Sequence, residues 1–392
     1  MNKLQIHEEV KAIEKDIIAT RRLLHQQPEL GFLERETAGL ITRRLEDLGL
    51  EVTTGLGKTG VSGLLLGGSD GPCIALRADM DGLPIQETGD LSFRSQNDGV
   101  MHACGHDGHM AMLLGAAQVL SSRREQLQGS VKFIFQPAEE GGAGARFMIE
   151  EGVLEHPRVD EIYGIHLWNY QPYGTVGVKE GAILAAADEF TILVKGRGGH
   201  GALPHTAVDA VVVAAQLVTA LQTIPSRNIN PLESSVVTVG KITGGDNFNI
   251  IADKVALYGT VRSYKEENRQ TIMRRMKEIT NGIAATFGAE IELVYKEGYP
   301  LTVNHADSVA KVQAVARKIV GDGVQFPYLS MGGEDFSFYL QEIPGCFFFV
   351  GSAPPNREPL TVPHHCSYFD IDERALLVGC SIWVELVTGL LK

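Results

Sequence analysis

The segment His102-Ala-Cys-Gly-His-Asp-Gly-His109, followed at once by the apolar run MAMLLGAAQVL at 110–120, decides how the rest of this chain is read. Its eight residues hold three imidazoles, one thiol and one carboxylate. That is a poor composition for a core and a good one for holding metal, because thiolate and neutral imidazole are the ligands borderline-soft divalent ions prefer. The Ala/Leu-rich run predicts a loop entering a buried helix, and a helix N-terminus favours thiolate over thiol at Cys104. Further along, Pro137-Ala-Glu-Glu-Gly-Gly142 places two adjacent carboxylates directly after an apolar stretch. Cys104, His106, Glu139 and Glu140 together read as a catalytic metal centre. His102 or His109 taken alone reads more simply as a helix cap.

The chain has 392 residues, longer than a single core comfortably grows, so two domains are expected. Its 44% hydrophobic and 21% charged content is that of an ordinary globular protein. A formal net charge of -13 argues against nucleic acid and anionic membrane as partners. The N-terminus lacks the continuous apolar core of a signal peptide, and no run reaches the apolar length of a membrane span. Five scattered cysteines fit a reduced setting better than a disulfide framework. A cytoplasmic location is the resulting expectation.

Apolar residues at helical spacing predict a helix over 5–26 and a second over 34–48, stopped by Gly49. Short apolar runs bounded by glycine follow at 61–66, 73–78, 131–135, 162–165 and 346–350, and these read as buried strands of an α/β sheet. Four of them lead into chemically able residues: Asp79 and Asp81, Glu139 and Glu140, His166, and, through a Pro-rich loop, His364 and His365. Reactive groups in open α/β sheets gather beyond the carboxyl ends of strands, so these points are expected to converge. Between 187 and 298 the pattern changes to alternating strands and two helices in the order β-α-β-β-α-β, the split arrangement of ferredoxin-like units. The division read from this is a catalytic α/β domain at 1–186 and 299–392, with an inserted domain at 187–298.

On these residues the sequence resembles the dinuclear-metal amidohydrolases that include hippurate hydrolase, indole-acetyl-amino-acid hydrolases, aminoacylases and related carboxypeptidases. The motifs carrying the resemblance span nearly the whole chain: Arg22-Leu-Leu-His25, Arg77-Ala-Asp-Met-Asp81, His102-Ala-Cys-Gly-His106, Gln136-Pro-Ala-Glu-Glu140, Gly199-His-Gly-Ala-Leu-Pro-His205, Gly259-Thr-Val-Arg262 and Met331-Gly-Gly-Glu-Asp-Phe336. The resemblance implies a mixed-sheet, metallopeptidase-like catalytic domain, a smaller lid domain that mediates dimerisation, and two divalent metal ions per subunit. Cys104 would bridge the ions, with Glu140, His106 and His166 as further ligands. His365 would close the other side, chosen over His364 by its spacing to Phe369-Asp370. Glu139 is the implied general base and acid, and Asp81 the carboxylate that orients a ligand. His200 would reach the partner subunit's site and polarise the substrate carbonyl, while Asn249 and Arg262 would hold the substrate's free carboxylate.

This assignment makes chemical sense. An amide is a poor electrophile and water a poor nucleophile, and a pair of cations about 3.5 Å apart answers both problems. Adjacent glutamates can then divide labour, one binding metal and one moving the proton. The expected activity is cleavage of N-acyl-amino acids by a homodimer or homotetramer, with zinc as the first choice of metal and manganese, cobalt or nickel also suited. A carboxypeptidase or dipeptidase would use the same centre on a short peptide. A cysteine-nucleophile amidase built on Cys104 is the rival chemistry, and the surplus of glutamates and histidines weighs against it. A metal-binding relative without turnover is the rival of another class, and the presence of Glu139 weighs against that. Glu334 and Asp335 are expected to act as caps, and His25 as a packed, hydrogen-bonded histidine.

Overall fold

The computed structural model describes residues 4–355 and 360–392; part of the Pro-rich loop before His364 therefore lies outside the described residues. The chain forms two compact units, one built from 1–183, 303–329 and 335–392, the other from 184–302 and 330–334.

The first unit is organised on an eight-stranded mixed sheet whose order is Glu51–Leu56, Gly60–Leu66, Gln128–Gln136, Ser69–Asp79, Glu161–Pro172, Gly345–Ala353, Val176–Gly177 and Val324–Gln325. Its four central strands run parallel, with Ser69–Asp79 between Gln128–Gln136 and Glu161–Pro172, and Gly345–Ala353 beyond. Each of these strands is buried on both faces along most of its length, which is why it reads in the sequence as a continuous apolar run. Register places Asp79 opposite Gln136 and His166 opposite Phe349. The chemically able strand ends thus lie side by side.

The helix His106–Ser121 is packed against the sheet and against the helices Glu14–Gln26 and Arg374–Leu390. Of its sixteen residues only Gln118 and Ser121 escape full burial, as expected of a run so uniformly apolar. Gly105, at φ 89°, occupies its N-cap in a left-handed conformation that residues bearing a side chain adopt less readily. No side chain caps this helix, so the capping role expected for His102 or His109 is not taken up.

One local expectation is corrected, and one strand had no counterpart in the sequence reading. The single helix expected over 5–26 is broken at Ile13, giving Glu8–Ala12 and Glu14–Gln26. The edge strand Glu51–Leu56 is almost wholly solvent-facing, so it carries no apolar run from which to read it.

In the second unit, four antiparallel strands stand in the order Ser235–Gly244, Lys254–Ser263, Ala186–Lys195, Glu290–Tyr299. Counted along the chain this is 2-3-1-4, so the first strand is flanked by the third and fourth, the ferredoxin-like arrangement. Phe190, Ile192 and Val194 alternate inward and meet Val213, Leu217 and Leu221 of the helix Ala210–Leu221, and Ile272 and Met276 of the helix Glu266–Phe287. Asp209 caps the first of these helices by accepting from the N–H groups of Val211 and Val212. No helix among the described residues is long and apolar enough to cross a membrane.

Candidate metal centre

Cys104, His106, Glu139, Glu140, His166 and His365 come from four separate stretches and meet in the first unit. The donor atoms of Cys104, His106 and His166 lie within 4.8 Å of one another, as do those of Cys104, Glu140 and His365, and those of His106, Glu139 and Glu140. Cys104 is the member common to the first two groups. Its Sγ lies 3.5 Å from His166 Nε2, and Glu140 Oε1 lies 3.1 Å from His365 Nε2.

Each buried imidazole is oriented through its far nitrogen. His106 Nδ1 donates to the Asp81 carbonyl at 2.9 Å, and His166 Nδ1 donates to the Leu167 carbonyl at 2.6 Å. Both Nε2 atoms are left facing the centre as acceptors, the tautomer a metal requires. His109, by contrast, spends both nitrogens: Nδ1 on Asp79 at 2.6 Å and Nε2 on the Leu167 N–H at 2.9 Å. It is a strut of the site with no lone pair to offer.

The Asp81 carboxylate organises the paired glutamates. Its Oδ1 accepts from the N–H of Glu139 at 3.1 Å and its Oδ2 from that of Glu140 at 2.9 Å, while His106 Nδ1 lies 3.3 Å from Oδ1. The turn it holds is unusual, with Ala138 at φ 51° and Ala143 at φ 56°. Glu34 Oε1 braces the same turn by accepting from the Ala138 N–H at 2.9 Å. The Glu139 carboxylate is buried and accepts from the Asp335 N–H at 3.4 Å.

Beneath the centre, Arg77 donates to Gln136, Asp79 and Asp335 at 2.8, 2.6 and 2.9 Å. Asp335 Oδ2 also accepts from the Ala145 N–H at 3.0 Å, so its side chain joins this network and makes no capping bond to the helix Phe336–Glu342 that it precedes. Among the residues the sequence did not single out, Glu34, Gln136 and Asn169 are the ones the site depends on. Gln136 does stand in a quoted motif. Glu34 and Asn169 carry no local signal beyond being polar beside apolar runs. His25 sits as expected, buried, with Nδ1 2.8 Å from Asp107 and Nε2 3.4 Å from Glu87.

The electrostatics ask for positive charge. Burial first, then Glu140, Glu139 and Asp79, push the Cys104 thiol well above its ordinary range. Burial works against the His106 cation, but Asp79 and Asp81 outweigh it and push the imidazole up to about 10. His106 Nε2 is buried with no hydrogen-bond partner among the described residues, and the buried Glu140 Oε1 has the His365 ring beside it in an ion-pair contact without hydrogen-bond geometry. A cluster of carboxylates around a thiol, with an imidazole nitrogen left without a hydrogen bond, fits divalent cations.

In the second unit, His200 and Asn249 are neighbours on a two-stranded ribbon in which Gly199–His200 pairs with Ile250–Ile251. The Gly201 N–H donates to the Asn249 carbonyl at 2.8 Å, and both side chains are exposed. Arg262, half-buried on Lys254–Ser263, donates to the carbonyls of Val261 and Asp188 and to Thr260 Oγ1. It forms no ion pair among the described residues.

A mixed α/β sheet whose strand ends gather thiol, imidazole and carboxylate around a spare glutamate defines a class, the metallohydrolases of amide bonds. The family model for Peptidase family M20/M25/M40 matches residues 75–389. N-acetyl-L-cysteine deacetylase of Bacillus subtilis is 42% identical over 382 residues, covering 97% of this chain and 90% of that protein. Thermostable carboxypeptidase 2 of Saccharolobus solfataricus is 40% identical over 379 residues, covering 96% and 95%. The crystal structure of the Bacillus subtilis YXEP protein, a dinuclear metal-binding peptidase from the M20 family, superposes with a TM-score of 0.84 at 38% identity, covering 97% of this chain and 99% of that one. The chain belongs to peptidase family M20/M25/M40, and it is a hydrolase.

Proposed function

We propose that this protein cleaves the amide bond of N-acyl-L-amino acids at a pair of divalent metal ions, releasing a carboxylic acid and an amino acid. One observation carries the reading: two ligand groups share Cys104, and an additional carboxylate, Glu139, stands beside them. Cys104, His106, His166, Glu140 and His365 would hold the two ions. When bound, such a pair supplies Lewis acidity that readies water and offsets charge growing on the carbonyl oxygen. Glu139 takes the proton of the attacking water and delivers it to the departing nitrogen. Asp81 holds Glu139, Glu140 and His106 in mutual register, which makes it a positioning residue.

The second unit acts as a lid and dimerisation domain. His200 stabilises the oxyanion in the partner's site, and Asn249 and Arg262 bind the substrate carboxylate, for which the Arg fork is well shaped. An exposed edge strand, Ser235–Gly244, and the exposed Val211 and Val212 of the helix Ala210–Leu221 support assembly of a homodimer or homotetramer through this unit. Zinc is the first choice of metal, with manganese, cobalt and nickel compatible with the same donors. The five cysteines form no disulfide among the described residues, which supports a reducing, cytoplasmic setting.

The relatives named as deacetylase and carboxypeptidase favour an N-acyl-amino acid and a short peptide respectively. The test is a screen of N-acetyl-, N-benzoyl- and dipeptide substrates, with and without chelator, metal content being measured in parallel. Hydrolysis of N-acyl-amino acids that stops on chelation and returns with metal is the expected result. Undiminished turnover after complete metal removal, or turnover of dipeptides alone, would overturn it.

A further inference from the structure

His364 neighbours the proposed ligand His365 and lies as close to Cys104 as a hydrogen-bonding group would. Its Nδ1 is 3.7 Å from Cys104 Sγ. Its Nε2 lies 3.2 Å from the backbone nitrogen of Asn169 and accepts that N–H. A ring nitrogen that accepts a backbone N–H carries no proton, so the proton of the neutral imidazole resides on Nδ1. Nδ1 is therefore a donor turned toward sulfur and has no lone pair for a metal.

The ring cannot easily turn away. It is packed among Trp168, Tyr170, His166 and Phe369 at centroid distances of 5.0, 5.3, 5.2 and 5.0 Å. Asn169 fastens the loop on both sides of it, its Nδ2 donating to the carbonyls of Val362 at 3.1 Å and Asp370 at 2.8 Å. The Asn169 Oδ1 is itself fixed by Ser352 Oγ at 2.8 Å. The N–H of His365 donates to the Ala103 carbonyl at 2.8 Å, tying the loop to the residue before Cys104.

We infer that His364 is a positioning residue that donates an N–H···S hydrogen bond to the Cys104 thiolate and so weakens the charge the sulfur gives to the metals it holds. This rests on the reading of Cys104 as a metal ligand. Hydrogen bonds to ligating sulfur lower the energy of its lone pairs, as they do at iron–sulfur and copper centres, and a less donating sulfur leaves the cations more acidic. The Cys104 carbonyl also lies within reach of the His364 ring, and a bond to that oxygen alone would hold the loop without touching the electronics of the sulfur.

Cobalt(II) substitution separates the possibilities, because the thiolate-to-cobalt charge-transfer band reports the energy of the sulfur lone pairs directly. The full-length protein and its His364→Leu, His364→Asn and His364→Gln variants would be loaded with cobalt, and the band, the cobalt stoichiometry and far-UV circular dichroism recorded. In His364→Leu the band moves to lower energy with stoichiometry unchanged. In His364→Asn, whose amide nitrogen replaces Nδ1, it returns toward the wild-type position. Should the leucine variant not fold, the same contrast is read between the asparagine and glutamine variants, since the glutamine amide takes the place of Nε2. A wild-type band that stays put in every variant would overturn the hydrogen bond, and cobalt stoichiometry that falls by half would make His364 a ligand instead. Absence of any thiolate-to-cobalt band in the wild type would sink the metal reading of Cys104 together with this inference.

Discussion

Glu139 and Glu140 are consecutive, and the fold gives them opposite tasks. The Glu140 carboxylate faces His365 Nε2 at 3.1 Å, whereas the Glu139 carboxylate is turned inward to the Asp335 N–H. Glu139→Gln keeps the shape and removes the proton carrier. Turnover should fall by about 10²–10⁴-fold with metal content and fold unchanged. Steady-state kinetics with parallel metal analysis checks this, and wild-type turnover would remove Glu139 from the chemistry. Titration behaviour is a second matter of single residues. Burial opposes ionisation of Asp107, but Arg21 and His25 outweigh it and hold its carboxyl below the usual range. At Asp188, hydrogen bonds from Arg269, Tyr295 and the Gly298 N–H likewise outweigh burial and lower its value. Such depressed carboxyls contribute stability that is present above the unfolded value of about 3.9 and is lost as pH falls through the lower folded value. The melting temperature of the wild type should therefore drop on acidification below about pH 4. In Asp188→Asn that step should be smaller, on a lower baseline. An acid limb of equal height in the variant would show that Asp188 is not its source.

At the scale of the element, the decisive piece is the short knot that follows the strand Gln128–Gln136. Ala138 and Ala143 both take positive φ, and the glycines beside them leave room for the chain to double back. At Gly144 a methyl group would stand 1.8 Å from the Pro137 carbonyl oxygen, a backbone atom that cannot swing aside. Gly144→Ala should cost about 3 kcal/mol or more and displace the glutamate pair. Chemical denaturation gives the first figure and metal content reads the second. A variant of wild-type stability with full metal would refute the tightness of this turn. The helix His106–Ser121 shows the same economy of space, since a methyl at Gly108 would approach Leu167 to 2.5 Å in a region without exposed neighbours.

At the scale of the whole molecule, the proposed machinery is divided between two units, the metal ligands and Glu139 in one, His200, Asn249 and Arg262 in the other. If His200 works on the partner's substrate, neither His200→Ala nor Glu139→Gln alone is competent, yet a mixed dimer contains one intact site. Random pairing of equal amounts should then restore roughly a quarter of wild-type activity. Measuring activity after co-refolding the two variants tests the arrangement, and a mixture no more active than its components would place His200 outside the partner's site.

Amphipathic and buried periodicity is a local property, and it was enough to read the helix Glu266–Phe287, the central parallel strands and the β-α-β-β-α-β order from residues alone. The residues that meet at the proposed centre could also be picked out, because Cys104, His106, Glu140 and His166 each stand where an apolar element begins or ends. What could not be read locally lies in contacts between distant segments. That Asp81 clamps the two glutamates, that Glu34 braces Ala138, and that Asn169 pins the loop of His364 and His365 are matters of which chain ends meet in space. Spacing to Phe369-Asp370 favoured His365 over His364, but what each ring touches was a matter of the same kind. Their difference appeared only once the Asn169 N–H was seen to occupy one nitrogen of His364, while His365 faced Glu140. Composition and periodicity can tell which residues are buried and which are reactive. Only the folded chain brings the partners together that decide where each proton sits.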